Sequence, residues 1–377
     1  MAAKKKKAST KKKPVAKKKP RVRKESTAKK KPAKKTPAKK KAAGKKTGRK
    51  KTGGKGVKKK REGISLHIGI NFLDPNGYRL APPDAPPDPD WPDGWDGPLK
   101  ACEADATDMC EIAKSQGFKA TLLTTENATA ERVTAEIRNA AKKLAAGDAF
   151  FISFAGHGGQ LPDHNKDEKA ERPGDYEDET WCLFDRQFLD DELNDLYAEF
   201  DPGVRIIIVS DSCHSGTASR SVASGALLTP AENKKLYGLE RPAVRSMPTR
   251  GGAAGKMYRA RKPLYDKIQA NVKNAKPKAS VLLLSACQDN QEASDGVFNG
   301  KFTAALKDVW GDGFTGSYVE FHAAIKAVLQ TEMDFVLKDR AAGGSSALPV
   351  PQDPNFYVTG VKSEDFMAER PFSIVGK

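Results

Sequence analysis

Two runs of apolar and β-branched residues, Ala149–Ala155 (AFFISFA) and Val204–Val209 (VRIIIV), constrain this chain more than any other feature. A run of five to seven such residues between turn signals reads as a strand covered on both faces, the habit of a parallel sheet in an α/β domain. Ligands and chemistry gather past the carboxyl ends of such strands. The first run breaks into Gly156-His157-Gly158-Gly159 and the second into Ser210-Asp211-Ser212-Cys213-His214-Ser215-Gly216. An imidazole and a thiol therefore each follow a strand end by a few residues. If the two strands are neighbours, His157 and Cys213 face each other across the sheet's upper edge as base and nucleophile.

Charge divides the chain in two. Residues 1–61 hold 31 of the 66 lysines and arginines against one acid, Glu25, a net +30; residues 62–377 hold 35 basic and 47 acidic residues, a net −12. The first segment is built of near-repeats such as KKPAKK and has only Val15 and Val22 as branched aliphatics before Val57. It has nothing to bury and is expected to be a disordered Lys/Ala/Pro-rich tail. Residues 62–377 are ample for one large α/β domain. No stretch of 18 apolar residues occurs, and the charged start lacks an apolar signal region, so the expectation is a cytoplasmic protein with no membrane contact. Cysteines at 102, 110, 182, 213 and 287 are odd in number and scattered, which fits reduced thiols. No CxxC pair or His/Cys cluster suggests zinc, so any metal here would be a hard, oxygen-liking one.

The hydrophobic periodicity predicts alternating elements: strands near 64–72 and 119–124, a strand ending at His157, a short strand at 181–184, a strand ending at Cys213, then strands at 280–285 and 355–358. Helices are predicted over 99–116, after Thr129, from Asp190, over 301–310 and over 317–338. Residues 74–98 form a Pro/Gly/Asp/Trp loop, 160–180 a polar acidic loop, and 217–279 a flexible basic loop with little periodicity.

At this point the residues resemble a known family. Gly156-His157-Gly158-Gly159 and Asp211-Ser212-Cys213-His214-Ser215-Gly216 each follow a strand; Cys102-x-x-Asp105 starts a helix; Asp178-Glu179, Asp185 and Asp190-Asp191-Glu192-Leu193 follow in order, then Ala286-Cys287-Gln288-Asp289-Asn290-Gln291. Together they resemble the metacaspases and their prokaryotic caspase-like relatives, over about residues 63–340. The resemblance implies a three-layer α/β/α sandwich with a mostly parallel central sheet and a generally monomeric cysteine endopeptidase. A thiol is only a few per cent thiolate at neutral pH, so Cys213 needs His157 or a helix start to act, and His157 would then protonate the leaving amine. The resemblance further implies an oxyanion hole from the N–H groups of Gly158 and Cys213.

In metacaspases the positions matching Asp105 and Asp211 line an acidic specificity pocket. Two carboxylates without a nearby basic partner would favour a protein or peptide substrate with Arg or Lys before the cut bond. Ala155, two residues before the histidine, stands where many relatives carry a pocket serine. Calcium activation is common in metacaspases, and Asp175, Asp178, Asp190 and Asp191 could offer Ca²⁺ its hard oxygens; equally, Asp190 suits a helix N-cap, the acidic loop a solvated face, and Arg220 replaces a carboxylate expected after the nucleophile. The tail suits strong, sequence-blind, salt-sensitive binding to nucleic acid, with the protein nucleoid-associated. An enzyme cutting after Arg or Lys would find targets in the tail and in the basic loop, which predicts self-processing. The reading from another class is a nucleoid-binding protein whose caspase-like domain is an inactive interaction module.

Overall fold

The computed structural model describes residues 60–162, 177–212, 245–248, 252–273, 275–286, 299–342, 352–360 and 363–375. Residues 1–59 of the basic tail, Cys213 and Asp175 lie outside them. The described residues build two sheets. The larger has six strands: β1 Gly63–Gly69, β2 Lys119–Thr124, β3 Ala149–Ala155, β7 Arg205–Asp211, β8 Ser280–Ser285 and β9 Asn355–Thr359, in the order β2-β1-β3-β7-β8-β9. All neighbours run parallel except β9, which pairs antiparallel to β8. The smaller is antiparallel, in the order β4-β5-β6, from Gly158–Pro162, Glu177–Cys182 and Gln187–Leu189.

The helices are α1 Cys102–Ser115, α2 Ala130–Lys143, α3 Asp190–Tyr197, α4 Ala253–Ala260, α5 Lys262–Asn271, α6 Lys301–Trp310, α7 Tyr318–Ala341 and α8 Ser363–Met367. Side chains alternate across the strands and explain the unbroken apolar runs. Phe150, Ile152 and Phe154 with Ile206 and Ile208 pack under Val133 and Ile137 of α2 and Leu193 of α3. Phe151, Ile207 and Val209 point the other way, onto Met109 and Ile112 of α1, Phe302 and Leu306 of α6 and Phe321 of α7. Each central strand is thus covered on both faces, giving the three-layer α/β/α sandwich. Within that core His67 bonds Ser153 Oγ through Nδ1 at 2.8 Å, and burial, helped by the charge of Lys114, pushes its imidazole down to about 3.

The α1 helix keeps Cys102, Ala106, Met109, Cys110 and Ala113 on its buried side, and α2 starts at Thr129, whose side chain accepts the Arg132 N–H at 3.3 Å. Several boundaries differ from the sequence expectation. β3 and β7 stop at Ala155 and Asp211, two residues short of His157 and Cys213. The acidic loop begins and ends in strands, β4 and β5. The helix α3 starts at Asp190 as expected, but its N-cap is Leu189 rather than Asp190, and the Leu189 N–H is accepted by Glu192 Oε2 at 3.2 Å. The expected flexible basic loop at 217–279 is corrected in its second half, where α4 and α5 fold. Met257 and Tyr258 of α4 and Tyr265 of α5 are buried, with Gln269 one turn after Tyr265 reaching Asp178. Residues 217–244 lie outside the described residues.

Candidate active site

Register decides what the upper edge of the sheet can do. β3 and β7 pair directly, with Ala155 level with Asp211, so the Gly-His-Gly-Gly loop and the Asp-Ser-Cys-His loop leave neighbouring strands at one height. His157 is 5% exposed and held from one side by the long Pro/Trp loop: its Nε2 lies 2.9 Å from the carbonyl oxygen of Gly97, and its ring sits 4.7 Å from that of Trp95. A carbonyl only accepts, so the neutral imidazole carries its proton on Nε2 and its lone pair on Nδ1, the nitrogen that must do the base chemistry. Gly97 is required by this approach. A Cβ there would lie 3.0 Å from His157 Nε2, and its φ of +49° is left-handed. Cys213 follows Ser212, the last described residue of its loop.

The carboxylates Asp105 and Asp211 are brought together and buried to 1% exposure. The expectation that they lack a basic partner is corrected: the fully buried guanidinium of Arg245 lies between them, Nη2 2.5 Å from Asp105 Oδ2 and Nη1 3.0 Å from Asp211 Oδ2. Other donors complete the pocket. Asn299 Nδ2 and the Gly300 N–H reach Asp105 at 2.8 and 3.1 Å, and the Thr303 N–H and hydroxyl reach Asp211 at 3.1 and 2.6 Å. Burial pulls the Asp105 carboxyl up to about 6, and the Arg245 guanidinium pulls against it. Gly300 leaves the space: a Cβ there would lie 2.6 Å from both Arg245 Nη1 and Asp211 Oδ2.

Backbone contacts tie this pocket to the histidine loop. The Gly158 N–H donates to the Arg245 carbonyl oxygen at 2.9 Å, and the Met247 N–H donates to the Gly158 carbonyl oxygen at 2.8 Å. Ala155 packs in a small apolar group with Leu99 and Cys102 beneath the site. Cys102, Cys110 and Cys182 are buried and form no disulfide. Sequence reasoning missed Gly97, Asn299, Gly300 and Thr303, and it placed Arg245 only among the basic residues of a loop.

The metal candidates divide. Asp178 is fully buried in β5, where its Oδ2 accepts from Gln269 Nε2 at 2.6 Å; Asp191 is buried in α3. The Asp190 carboxyl is pushed well up by burial and then by the charges of Glu179, Asp191 and Asp178, which places these carboxylates near one another. Among the described residues no three His, Cys, Asp or Glu side chains are arranged to hold a metal ion. Asp175 lies outside them.

The caspase domain model matches residues 90–353. This chain belongs to the caspase domain family. It is similar to Metacaspase-1 of Eremothecium gossypii, 28% identical over 180 residues covering 42% of this chain and 38% of that protein. It is similar also to Metacaspase-1A of Neurospora crassa, 25% identical over 299 residues covering 71% of this chain and 60% of the relative. The aligned part thus spans about two fifths of the length of the first of these relatives. The crystal structure of a Geobacter sulfurreducens protein superposes with a TM-score of 0.64 at 40% identity, covering 83% of this chain and 99% of that one. Metacaspase and caspase-like cysteine peptidases are therefore the family in which the site is to be read.

Proposed function

We propose that the chain is a cysteine endopeptidase that cuts peptide bonds after Arg or Lys. Cys213 is the nucleophile. His157, oriented by Gly97, withdraws the thiol proton through Nδ1 and returns it to the leaving amine. The N–H groups of Gly158 and Cys213 stabilise the oxyanion, a role for which donors must sit near 3 Å from the developing charge. One observation carries the preference for a basic residue: the paired carboxylates Asp105 and Asp211 already hold a guanidinium with full burial. Two buried carboxylates reject an acidic side chain by repulsion and reward a planar, two-pronged cation.

Ca²⁺ as an activator belongs to the same reading; Asp178, Asp190 and Asp191 are not by themselves arranged to hold a metal ion, so Asp175 and further oxygens outside the described residues would have to complete the ligand set. The Asp190 carboxyl, pushed up by burial and then by the charges of Glu179, Asp191 and Asp178, supports it, because a divalent cation relieves that repulsion. Its contribution there would be charge neutralisation at a carboxylate cluster. Residues 1–61, net +30, are proposed to tether the enzyme to nucleic acid through counterion release.

The deciding assay offers fluorogenic peptides ending in Arg, Lys or Asp to the full chain, with and without Ca²⁺. Hydrolysis of the Arg and Lys peptides, absent with Asp and in Cys213→Ala, is expected. Turnover of none of them by any form of the protein would favour an inactive caspase-like interaction module. Retardation of duplex DNA that fades steeply with salt, and is lost when residues 1–61 are removed, is expected for the tail.

A further inference from the structure

The Pro/Trp loop does two things to His157 from a single turn. Gly97 offers its carbonyl oxygen to Nε2, and Trp95, two residues earlier, sets its ring 4.7 Å from the imidazole at an interplanar angle of 54°. The turn is built for close approach: a Cβ on the left-handed Gly97 would lie 2.9 Å from the Trp95 ring and 3.0 Å from the imidazole. Both contacts therefore need the same glycine. The indole is also fixed from behind. The Trp95 backbone N–H donates to the Tyr78 carbonyl oxygen at 3.0 Å, the two rings meet edge to face at 6.0 Å, and the Tyr78 hydroxyl donates to the Leu183 carbonyl oxygen at 2.6 Å. A tryptophan that only filled space would need no such aim at an ionisable ring.

His157 must spend part of a peptidase cycle as an imidazolium, after it takes the thiol proton and before it gives that proton to the leaving amine. Burial works against this charge. The histidine is 5% exposed, and its Nε2 partner is a neutral carbonyl, which offsets the cost less than the carboxylate of a Ser-His-Asp triad does. The other titratable groups on the segments packed round it are engaged elsewhere or neutral. Asp96 of the same loop is exposed, burial pushes the Cys182 thiol well up, and the carboxylates of Asp211 and Asp105 are bridged by Arg245. An aromatic ring attracts a cation within about 6 Å of its centroid, most strongly where water is excluded, and indole is the best of the aromatic side chains for this. Trp95 meets that condition.

We propose that Trp95 is a positioning residue: its ring keeps the His157 imidazole in line and stabilises the charged form through which that histidine passes. The proposal rests on the peptidase reading above and adds the group that makes a buried histidine a usable proton carrier. It assigns Trp95 a role that its place in the core does not require, and the electron density of the indole, beyond its shape, then matters to the site.

Ring-labelled histidine NMR over a pH series reads the charge on His157 in the full chain carrying Cys213→Ala, which removes the thiol and any turnover; the signal missing from His157→Gln assigns it. Replacing Trp95 site-specifically with mono-, di- and trifluorinated tryptophan drains the ring's π density and keeps its shape. The His157 midpoint is expected to fall stepwise with each fluorine, by about half a unit in all, while the urea midpoint stays unchanged. With Cys213 restored, kcat for an Arg-ended fluorogenic peptide is expected to fall roughly tenfold in Trp95→Leu and to recover in part in Trp95→Phe, with KM little changed. A His157 midpoint that ignores the fluorines overturns the inference and leaves the peptidase standing. A midpoint that follows them, in a protein that turns over no peptide in any form, supports the ring contact and overturns the peptidase reading instead.

Discussion

Two groups of buried carboxylates in this molecule solve the same problem differently. Asp105 and Asp211, at the edge of the parallel sheet, are bridged by a guanidinium and filled out by amide and hydroxyl donors, and the Asp105 carboxyl rises only to about 6. Asp190, at the start of α3 beside Glu179, Asp191 and Asp178, is raised well above the ordinary carboxylate range by burial first and then by those like charges. The contrast shows where each cation must come from. The sheet-edge pair carries its own, the buried guanidinium of Arg245. In the α3 group no basic side chain is among the causes that act on Asp190, and its carboxyl is shifted towards the neutral form instead.

The comparison breaks most visibly at Asp105. Asp105→Ala strips one partner from a fully buried guanidinium and should lower unfolding stability by about 3 kcal/mol in urea titrations, the size typical of half-broken buried ion pairs. A loss under 1 kcal/mol would mean that Arg245 is held mainly by something other than the pair. Asp190→Asn should act in the opposite direction. A carboxyl raised on folding is stabilising when protonated, and that contribution is lost as pH rises from the unfolded value towards the folded one. Removing it should therefore raise the urea midpoint at neutral pH without added metal, and should abolish any stabilisation by Ca²⁺. A destabilised variant would show Asp190 to be satisfied as an anion.

The smallest effect is set by His67, a buried base away from either group. Its imidazole is lowered to about 3, so the unfolded chain binds a proton that the folded one refuses, and stability falls as pH drops below about 6.5. Between pH 7.5 and 5.5 the loss should be about 1 kcal/mol, and His67→Gln should flatten that part of the urea-midpoint profile. An unchanged profile would assign the acid sensitivity to other groups.

Much of this was legible in the sequence, for a physical reason. Ser280–Ser285 and Lys301–Trp310 fall where periodicity put them because each buries an apolar face, and the edge strand Lys119–Thr124 does so with Leu123 alone buried. His157 announces itself by glycines on both sides at a strand end. The pieces that escaped are those whose meaning depends on distant backbone. Gly97 serves His157 through a carbonyl sixty residues upstream, which no side chain advertises. Arg245 meets Asp105 across 140 residues and sits among several other basic residues, so nothing local marks it. Helices α4 and α5 were hidden because each is short and buries only two or three side chains among lysines and arginines.

The central claim is that an imidazole on β3's loop activates the thiol on β7's loop, and peptide-resolved alkylation of Cys213 by iodoacetamide across pH 4–10 tests it most directly. The account predicts an alkylation inflection well below the ordinary thiol value of about 8.5, returning towards it in His157→Gln. Identical profiles for the two proteins, both centred near 8.5, would contradict it.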